Sequence, residues 1–133
     1  MASILKVDEM QGVTSAGDIT ITSEGGSATM QLQQGVVKNF LHFDGTGPAA
    51  IRDSFNCASL TDAGTGTYDN NFTNNFSNND YCMGAISRAN DQFPGTFEGN
   101  NTSSHADVYT SNHSDRAAAD ADTVMVQLVG DLA

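Results

Sequence analysis

The sequence predicts an all-β fold: an antiparallel, jelly-roll-like β-sandwich with an extended N-terminal arm. Apolar and polar residues alternate with a period of two in several short runs, as in strands that bury one face. Clusters rich in Gly, Ser and Asp separate these runs, and the 13 glycines suit the many turns of such a fold. Only Arg116–Asp122 favours a helix, and this run is too short and too uniformly small to present an apolar stripe.

The first 35 residues are expected to form an arm. They contain three alternating runs, SILKVD (3–8), DITIT (18–22) and ATMQLQQ (28–34), but no compact set of apolar residues. We therefore interpret residues 1–35 as an extended arm or collar for attachment and oligomerisation. Residues 36–133 are expected to form the globular β-sandwich head.

The head begins with two strongly alternating runs. In VVKNFLHF (36–43), Val37, Leu41 and Phe43 share one face and Val36 and Phe40 lie on the other. AAIRDSFNCASL (49–60) is predicted to place Ile51, Phe55 and Cys57 toward the core, with Arg52 toward an edge or a neighbouring subunit. Strands are also predicted in YCMGAIS (81–87), in ADVYT (106–110) and at 122–132.

A hairpin is predicted at DAGTG (62–66). Asp62 would begin the turn through a bond from its side chain to the backbone, and Gly64 or Gly66 would supply a positive φ. Leu60, Tyr68 and Phe72 would then pack across the turn.

Charge and composition exclude several classes of function. The formal net charge is −11, and no basic stripe of the kind that binds nucleic acid occurs. No apolar run approaches the ~20 residues of a membrane-spanning helix, and the start of the chain does not resemble a secretory signal. The core residues are few for the chain's length, with 38% hydrophobic residues and no Trp, which favours burial against identical copies.

Candidate metal ligands and nucleophiles each have a plainer interpretation. Asp62 and Asp69 could supply oxygens to calcium, but the same stretch predicts a hairpin, and no EF-hand pattern is present. His42 is interpreted as a histidine on the polar face of a strand. His105 and His113 are eight residues apart and lack a zinc spacing.

Cys57 and Cys82 leave two alternatives open, a pair of buried thiols or a disulfide. No catalytic residue, metal ligand or cofactor is assigned.

Part of the chain resembles a β-rich domain of tailed-phage virion proteins of the marine-phage type, including tail-fibre-like proteins and capsid decorations. The matching residues are Phe43–Gly47, Ile51–Asn56, Leu60–Asp62, Gly64–Gly66, Tyr68 and Phe72, and the opening SILKVDEMQGVTSAGDITIT is similar to the usual start of such proteins. The chain departs from the pattern at Cys57 and Ala63, where valine and asparagine are usual.

The resemblance implies a non-enzymatic virion part, expected to be a homotrimer on the particle exterior that is made in the host cytoplasm. The arm would attach it to other capsid or tail proteins. Contact with a host-surface glycan or protein would fall on the Asn-rich middle of the chain. The alternative is a calcium-assisted carbohydrate-binding module, for which Tyr68 is the one aromatic beside Asp62 and Asp69.

Overall fold

The computed structural model describes residues 4–13, 19–23, 25–88, 92–95 and 100–133, with the backbone alone at 92–95. These residues form ten strands: β1 (Thr20–Thr22), β2 (Thr29–Gln31), β3 (Asn39–Asp44), β4 (Ala50–Phe55), β5 (Cys57–Gly64), β6 (Thr67–Phe72), β7 (Cys82–Arg88), β8 (Gln92–Gly95), β9 (His105–Asn112) and β10 (Thr123–Val129). The described part of the chain has one 3-10 turn, Gln33–Gly35, and no α-helix. The predicted all-β class is therefore confirmed.

The chain divides into two compact units, Met1–Val36 and Val37–Ala133. In the first unit, β1 pairs antiparallel with β2, and none of the described residues is buried. Residues 4–13 form no strand, so the strand predicted in SILKVD is wrong; alternation alone does not make a strand without a hydrogen-bonded neighbour. Two of the turn-forming clusters that separate the alternating runs are SAGD (15–18) and FPGTFEGNNTSS (93–104). The first lies outside the described residues, and so does part of the second.

The second unit is a sandwich of two antiparallel four-stranded sheets. The first sheet has the order β4-β3-β10-β7, and the second has the order β5-β6-β9-β8. The chain crosses from the first sheet to the second between β4 and β5, so an edge strand of one sheet continues as an edge strand of the other. The predicted antiparallel β-sandwich is confirmed.

The core lies between the two sheets. It consists of residues that point inward from both: Leu41, Phe43, Tyr68, Phe72, Phe76, Ala106, Val108, Ala121, Val124, Val126 and Leu128. Aromatic rings meet edge to face in this layer, with centroid distances of 4.8 Å between Phe43 and Tyr68 and 4.9 Å between Phe72 and Phe76. Leu41 and Phe43 share one face as predicted, and it is the buried one, but Val37 is 40% exposed. Tyr68 and Phe72 are buried in the core, and Leu60 packs at its margin.

The strand predicted at 49–60 is two strands, and this break corrects the predicted core. His42 lies opposite Asp53 but Phe43 lies opposite Ile51, so the register shifts at this point and the alternation reverses. Ile51 is 42% exposed and Phe55 is 55% exposed, and only Cys57 of the predicted trio packs against the core. The prediction for Ile51 and Phe55 is therefore wrong. Phe55 lies opposite outward-facing Phe40, whereas Ile51 lies opposite inward-facing Phe43 but stays exposed on an edge strand.

The corner between β4 and β5 is formed by Asn56, whose φ is 56°. Its side chain donates to the carbonyls of Lys38 and Asn74, both at 3.0 Å, and accepts from the backbone N–H of Asn74 at 2.6 Å. Asparagine tolerates this left-handed conformation better than most residues do. Asn56 thus joins the corner to the start of β3 and to the loop after β6.

The hairpin between β5 and β6 has the predicted form. Asp62 Oδ1 accepts a hydrogen bond from the backbone N–H of Gly64 at 3.0 Å. Gly64 and Gly66 both have positive φ, at 135° and 66°. The prediction that an aspartate begins this turn and glycine closes it is confirmed.

Candidate interaction surface

The two outer faces of the sandwich differ in chemistry. Side chains of a strand alternate between the two sides of its sheet, so each sheet presents one row of residues to the core and another outward. The outward rows of the first sheet are largely apolar at its centre, whereas those of the second sheet are polar. This difference makes the outer faces the natural place to look for function.

The apolar face consists of outward side chains from all four strands of the first sheet: Phe40, Phe55, Gly84, Ile86, Met125 and Val129. Strand register arranges them in rows. One row runs Phe55, Phe40, Gln127, Gly84 from edge to edge, and the next runs Asp53, His42, Met125, Ile86. Ile86 is 63% exposed, and the rings of Phe40 and Phe55 stack with centroids 6.2 Å apart. A contiguous surface of this kind marks an interaction site more often than scattered apolar residues do.

The apolar face contains a depression of about 490 Å³. Its lining comes from the three strands β3, β10 and β7: Phe40, Leu41, His42, Gly84, Ala85, Ile86, Met125, Val126 and Gln127. A Cβ on Gly84 would meet only the Gln127 side chain, at 3.5 Å, so the missing side chain at Gly84 helps to leave the space open. His42 Nε2 is buried and has no hydrogen-bond partner.

Charged groups lie at the edges of the apolar face. Arg52 pairs with Asp44 at 2.8 Å and donates to Thr123 Oγ1 at 3.0 Å, so its guanidinium is held across the top of the sheet. Asp53 is exposed on edge strand β4, and Arg88 is exposed on edge strand β7. In the part of the chain that the structure describes, neither Asp53 nor Arg88 forms an ion pair.

The outer face of the second sheet, here called the polar face, consists of Ser59, Thr61, Thr67, Asp69, Asn71, His105, Asp107 and Tyr109. Asp69 and Asp107 lie directly opposite each other on β6 and β9, and Asn71 lies opposite His105 in the next row. Asp69, His105 and Asp107 line an open depression of about 590 Å³ together with Asn100, Asn101 and Thr102.

Asp107 is the most perturbed carboxylate of the polar face. It is only 9% exposed, and His105 Nε2 lies 3.5 Å from its Oδ1. Burial raises its pKa, and the neighbouring carboxylate of Asp69 raises it further, while His105 and a hydrogen bond from Asn100 act in the opposite direction. Asp69 is the more exposed member of this acidic pair and would repel an anionic partner.

The structure separates the residues predicted as calcium ligands. Asp62 lies opposite Tyr68 and Asp69 lies opposite Thr61, in adjacent rows, so the two carboxylates point to opposite sides of the sheet. Tyr68, predicted as the aromatic platform, is fully buried and has its Oη 3.0 Å from the Gly45 carbonyl and from Asp120 Oδ1. Among the residues described, no three His, Cys, Asp or Glu side chains group closely enough to hold a metal.

The remaining candidates are also dispersed. His42 and His105 are half-buried on different sheets, and exposed His113 follows the far end of β9 from His105. Cys57 and Cys82 are both free, so they form no disulfide. Cys57 is half-buried and burial raises its pKa, whereas Cys82 is exposed, so the interpretation as two buried thiols is wrong for Cys82.

Comparison with known proteins adds no relative. A scan against protein-family models, a search of curated proteins and a search of solved structures each found no match to this chain. The described residues include no helix long and apolar enough to cross a membrane.

Sequence reasoning missed the apolar face and the Asp69–Asp107 pair. The sequence contained a signal for the apolar face, because VVKNFLHF and TVMVQLV both have apolar residues at odd and at even positions. When one face of such a strand is buried in the core, the other face still presents apolar side chains. The acid pair has no comparable signal, because it depends on the register between β6 and β9, whose facing residues Asp69 and Asp107 are 38 positions apart in the chain.

Proposed function

We propose that this protein is a non-enzymatic structural protein of a tailed-phage virion, an outward-facing appendage such as a short fibre, knob or capsid decoration. The observation that carries the proposal is the contrast between the two outer faces of one small sandwich. An apolar face suits permanent contact with other subunits, and a polar face suits exposure to water.

The residues of the resemblance support a scaffold role. Gly45 lies where a Cβ would collide with the Tyr68 hydroxyl, Asn56 forms the corner between the sheets, and Asp62 with Gly64 forms the hairpin. The structure explains the residue type at each of these positions. The motif therefore specifies the sandwich, as expected for a building part.

In this proposal the protein is a homotrimer, residues 1–35 attach it to other virion proteins, and the polar face points away from the particle. Host contact, where it occurs, would use the carboxylate, amide and hydroxyl groups of the polar face, which suit hydrogen bonding to a surface glycan or protein. The acidic pair Asp69 and Asp107 would disfavour strongly anionic surfaces.

The experiment is to locate the chain in purified particles of the phage that encodes it. Peptide mass spectrometry of gradient-purified particles should detect the chain, and an antibody against residues 37–133 should label their exterior in electron micrographs. Particles grown from a genome that lacks the coding sequence provide the control. Absence of the chain from purified wild-type particles would exclude a virion role.

A further inference from the structure

We propose that the apolar face joins copies of this chain edge to edge, with Phe55 of one copy in the Gly84 depression of the next and Asp53 of the first beside Arg88 of the second. The inference rests on the homotrimer in the proposed function for the number of copies. The contacts between the copies depend only on residues of the apolar face and its edges.

The two halves of the apolar face are complementary in shape. On edge strand β4, the Phe55 ring is 55% exposed and is supported from behind by the Phe40 ring, 6.2 Å away. On edge strand β7, Gly84 has no side chain and borders the depression of about 490 Å³. One half therefore offers a protruding aromatic ring and the other an apolar recess, the pairing found at the centre of many interfaces.

The charges at the two edges are complementary as well. Asp53 on β4 and Arg88 on β7 lie on the same face, three strand spacings apart, or about 14 Å. That separation is too large for a pair within one copy. Between copies, an acidic edge meeting a basic edge places opposite charges together at the rim of the contact.

Strand register makes the shape and the charges compatible with one contact. Phe55 is in the same row as Gly84, and Asp53 is in the same row as Ile86. When the symmetry axis of the oligomer runs parallel to the strands, every copy has the same residue at the same position along that axis. Phe55 of one copy therefore meets Gly84 of the next. Arg88 then lies one outward position beyond Asp53, about 7 Å along the strand and within reach of its long side chain.

The rest of the surface restricts the orientation in which a second copy can bind. The chain carries a net charge of −11, so two copies repel each other over most orientations. At the centre of the apolar face the outward residues of β3, β10 and β7 carry no carboxylate, and Asp44 at its top is neutralised by Arg52. A contact of this head-to-tail kind closes into a ring when the rotation allows it.

The test measures the mass of the purified full chain by light scattering over a range of concentrations. Wild type should form a defined oligomer at micromolar concentration. Gly84→Gln should weaken association by roughly tenfold or more, because it fills the recess that receives an anchor side chain. Ser59→Gln, on the exposed edge strand of the other sheet, is the matched control and should keep the wild-type mass.

Charge reversal tests the edge pairing directly. Asp53→Arg and Arg88→Asp should each weaken association by roughly three- to tenfold, and the double variant should recover most of the loss. Circular dichroism checks that each variant is folded, and Phe55→Ser replaces Gly84→Gln if the latter is not. Single reversals without effect, or a double variant no better than either, overturn the Asp53–Arg88 contact.

A monomeric wild type would assign the apolar face to a different protein and overturn the inference, as would a Gly84→Gln variant with the wild-type mass. Because these measurements use purified protein, they are separate from the virion experiment. A chain that assembles as proposed but is missing from particles would contradict the virion role alone, and a particle-bound chain with no face-dependent assembly would contradict this inference alone.

Discussion

Two glycines of the motif that carries the resemblance lie where no side chain fits. A Cβ on Gly45 would collide with the Tyr68 hydroxyl, and one on Gly66 would collide with the carbonyl of Thr110 and the amide of Ala119. Gly66 also has a φ of 66°, and its N–H donates to Asp120 Oδ1 at 2.7 Å. These positions hold the β5–β6 hairpin against the segment before β10.

Gly66→Ala is expected to destabilise the sandwich by more than about 3 kcal/mol, because the clash is with backbone atoms that cannot turn aside. Gly47→Ala is the matched control. Gly47 has a similar φ of 63° but open space around it, so only backbone strain of about 1 kcal/mol is expected there. Urea unfolding measures both, and equal losses for the two variants would show that the close approach at Gly66 does not matter.

The register between paired strands determines which side chains lie opposite each other. β6 and β9 are adjacent in the second sheet, and their register places Asp69 directly opposite Asp107 with His105 one row away. Like charges opposite each other on neighbouring strands destabilise a sheet. The pair therefore makes the stability of the second sheet sensitive to pH.

The sign of this pH dependence follows from the raised pKa of Asp107, which results first from burial and then from Asp69. The contribution of Asp107 to stability is fully present below the pKa of an unfolded aspartate, about 3.9, and is lost as the pH rises through the higher folded value. The asparagine side chain of Asp107→Asn does not ionise, so the variant does not have this loss of stability. Asp107→Asn should therefore gain stability over wild type as the pH rises from about 3 to about 7.

Unfolding free energies of wild type and Asp107→Asn at these two pH values test the prediction. Asp80→Asn is the control, because Asp80 is exposed in the loop before β7 and its substitution also removes one negative charge. If Asp107→Asn gains no more than Asp80→Asn does between the two pH values, general charge repulsion explains the effect and the buried pair does not.

At the scale of the whole molecule, the core is confined to one of the two units. All buried apolar residues in the described part of the chain lie within Val37–Ala133, and none lies in Met1–Val36. The sandwich has the two packed layers and the single core of a domain that folds by itself. The buried core of the described chain therefore belongs to the second unit alone.

A chain that begins at Val37 is expected to unfold with a free energy within about 0.5 kcal/mol of the full chain's value, since none of the described residues that the deletion removes is buried. Chemical denaturation of both chains measures the difference. The shortened chain should also retain the association that depends on Gly84 and should fail to attach to particles. Loss of a cooperative transition would show that the first unit contributes to the fold.

The sequence by itself determined the class of structure and its local details. Period-two alternation predicted the antiparallel sandwich, and the DAGTG stretch predicted a hairpin with Asp62 bonded to the backbone and glycines at positive φ. These features depend on residues that are neighbours along the chain. Their energetics are local, so sequence patterns report them directly.

Only the tertiary structure decided which apolar residues are buried and which polar residues meet. The corner at Asn56 breaks the alternation between Phe55 and Cys57, and pairing with Phe40 exposes Phe55 where alternation predicted core. Strand order then aligned Phe55 with Gly84 and Asp69 with Asp107. The physical reason is that a one-residue slip moves a side chain to the other face, and nothing local along the chain records that slip.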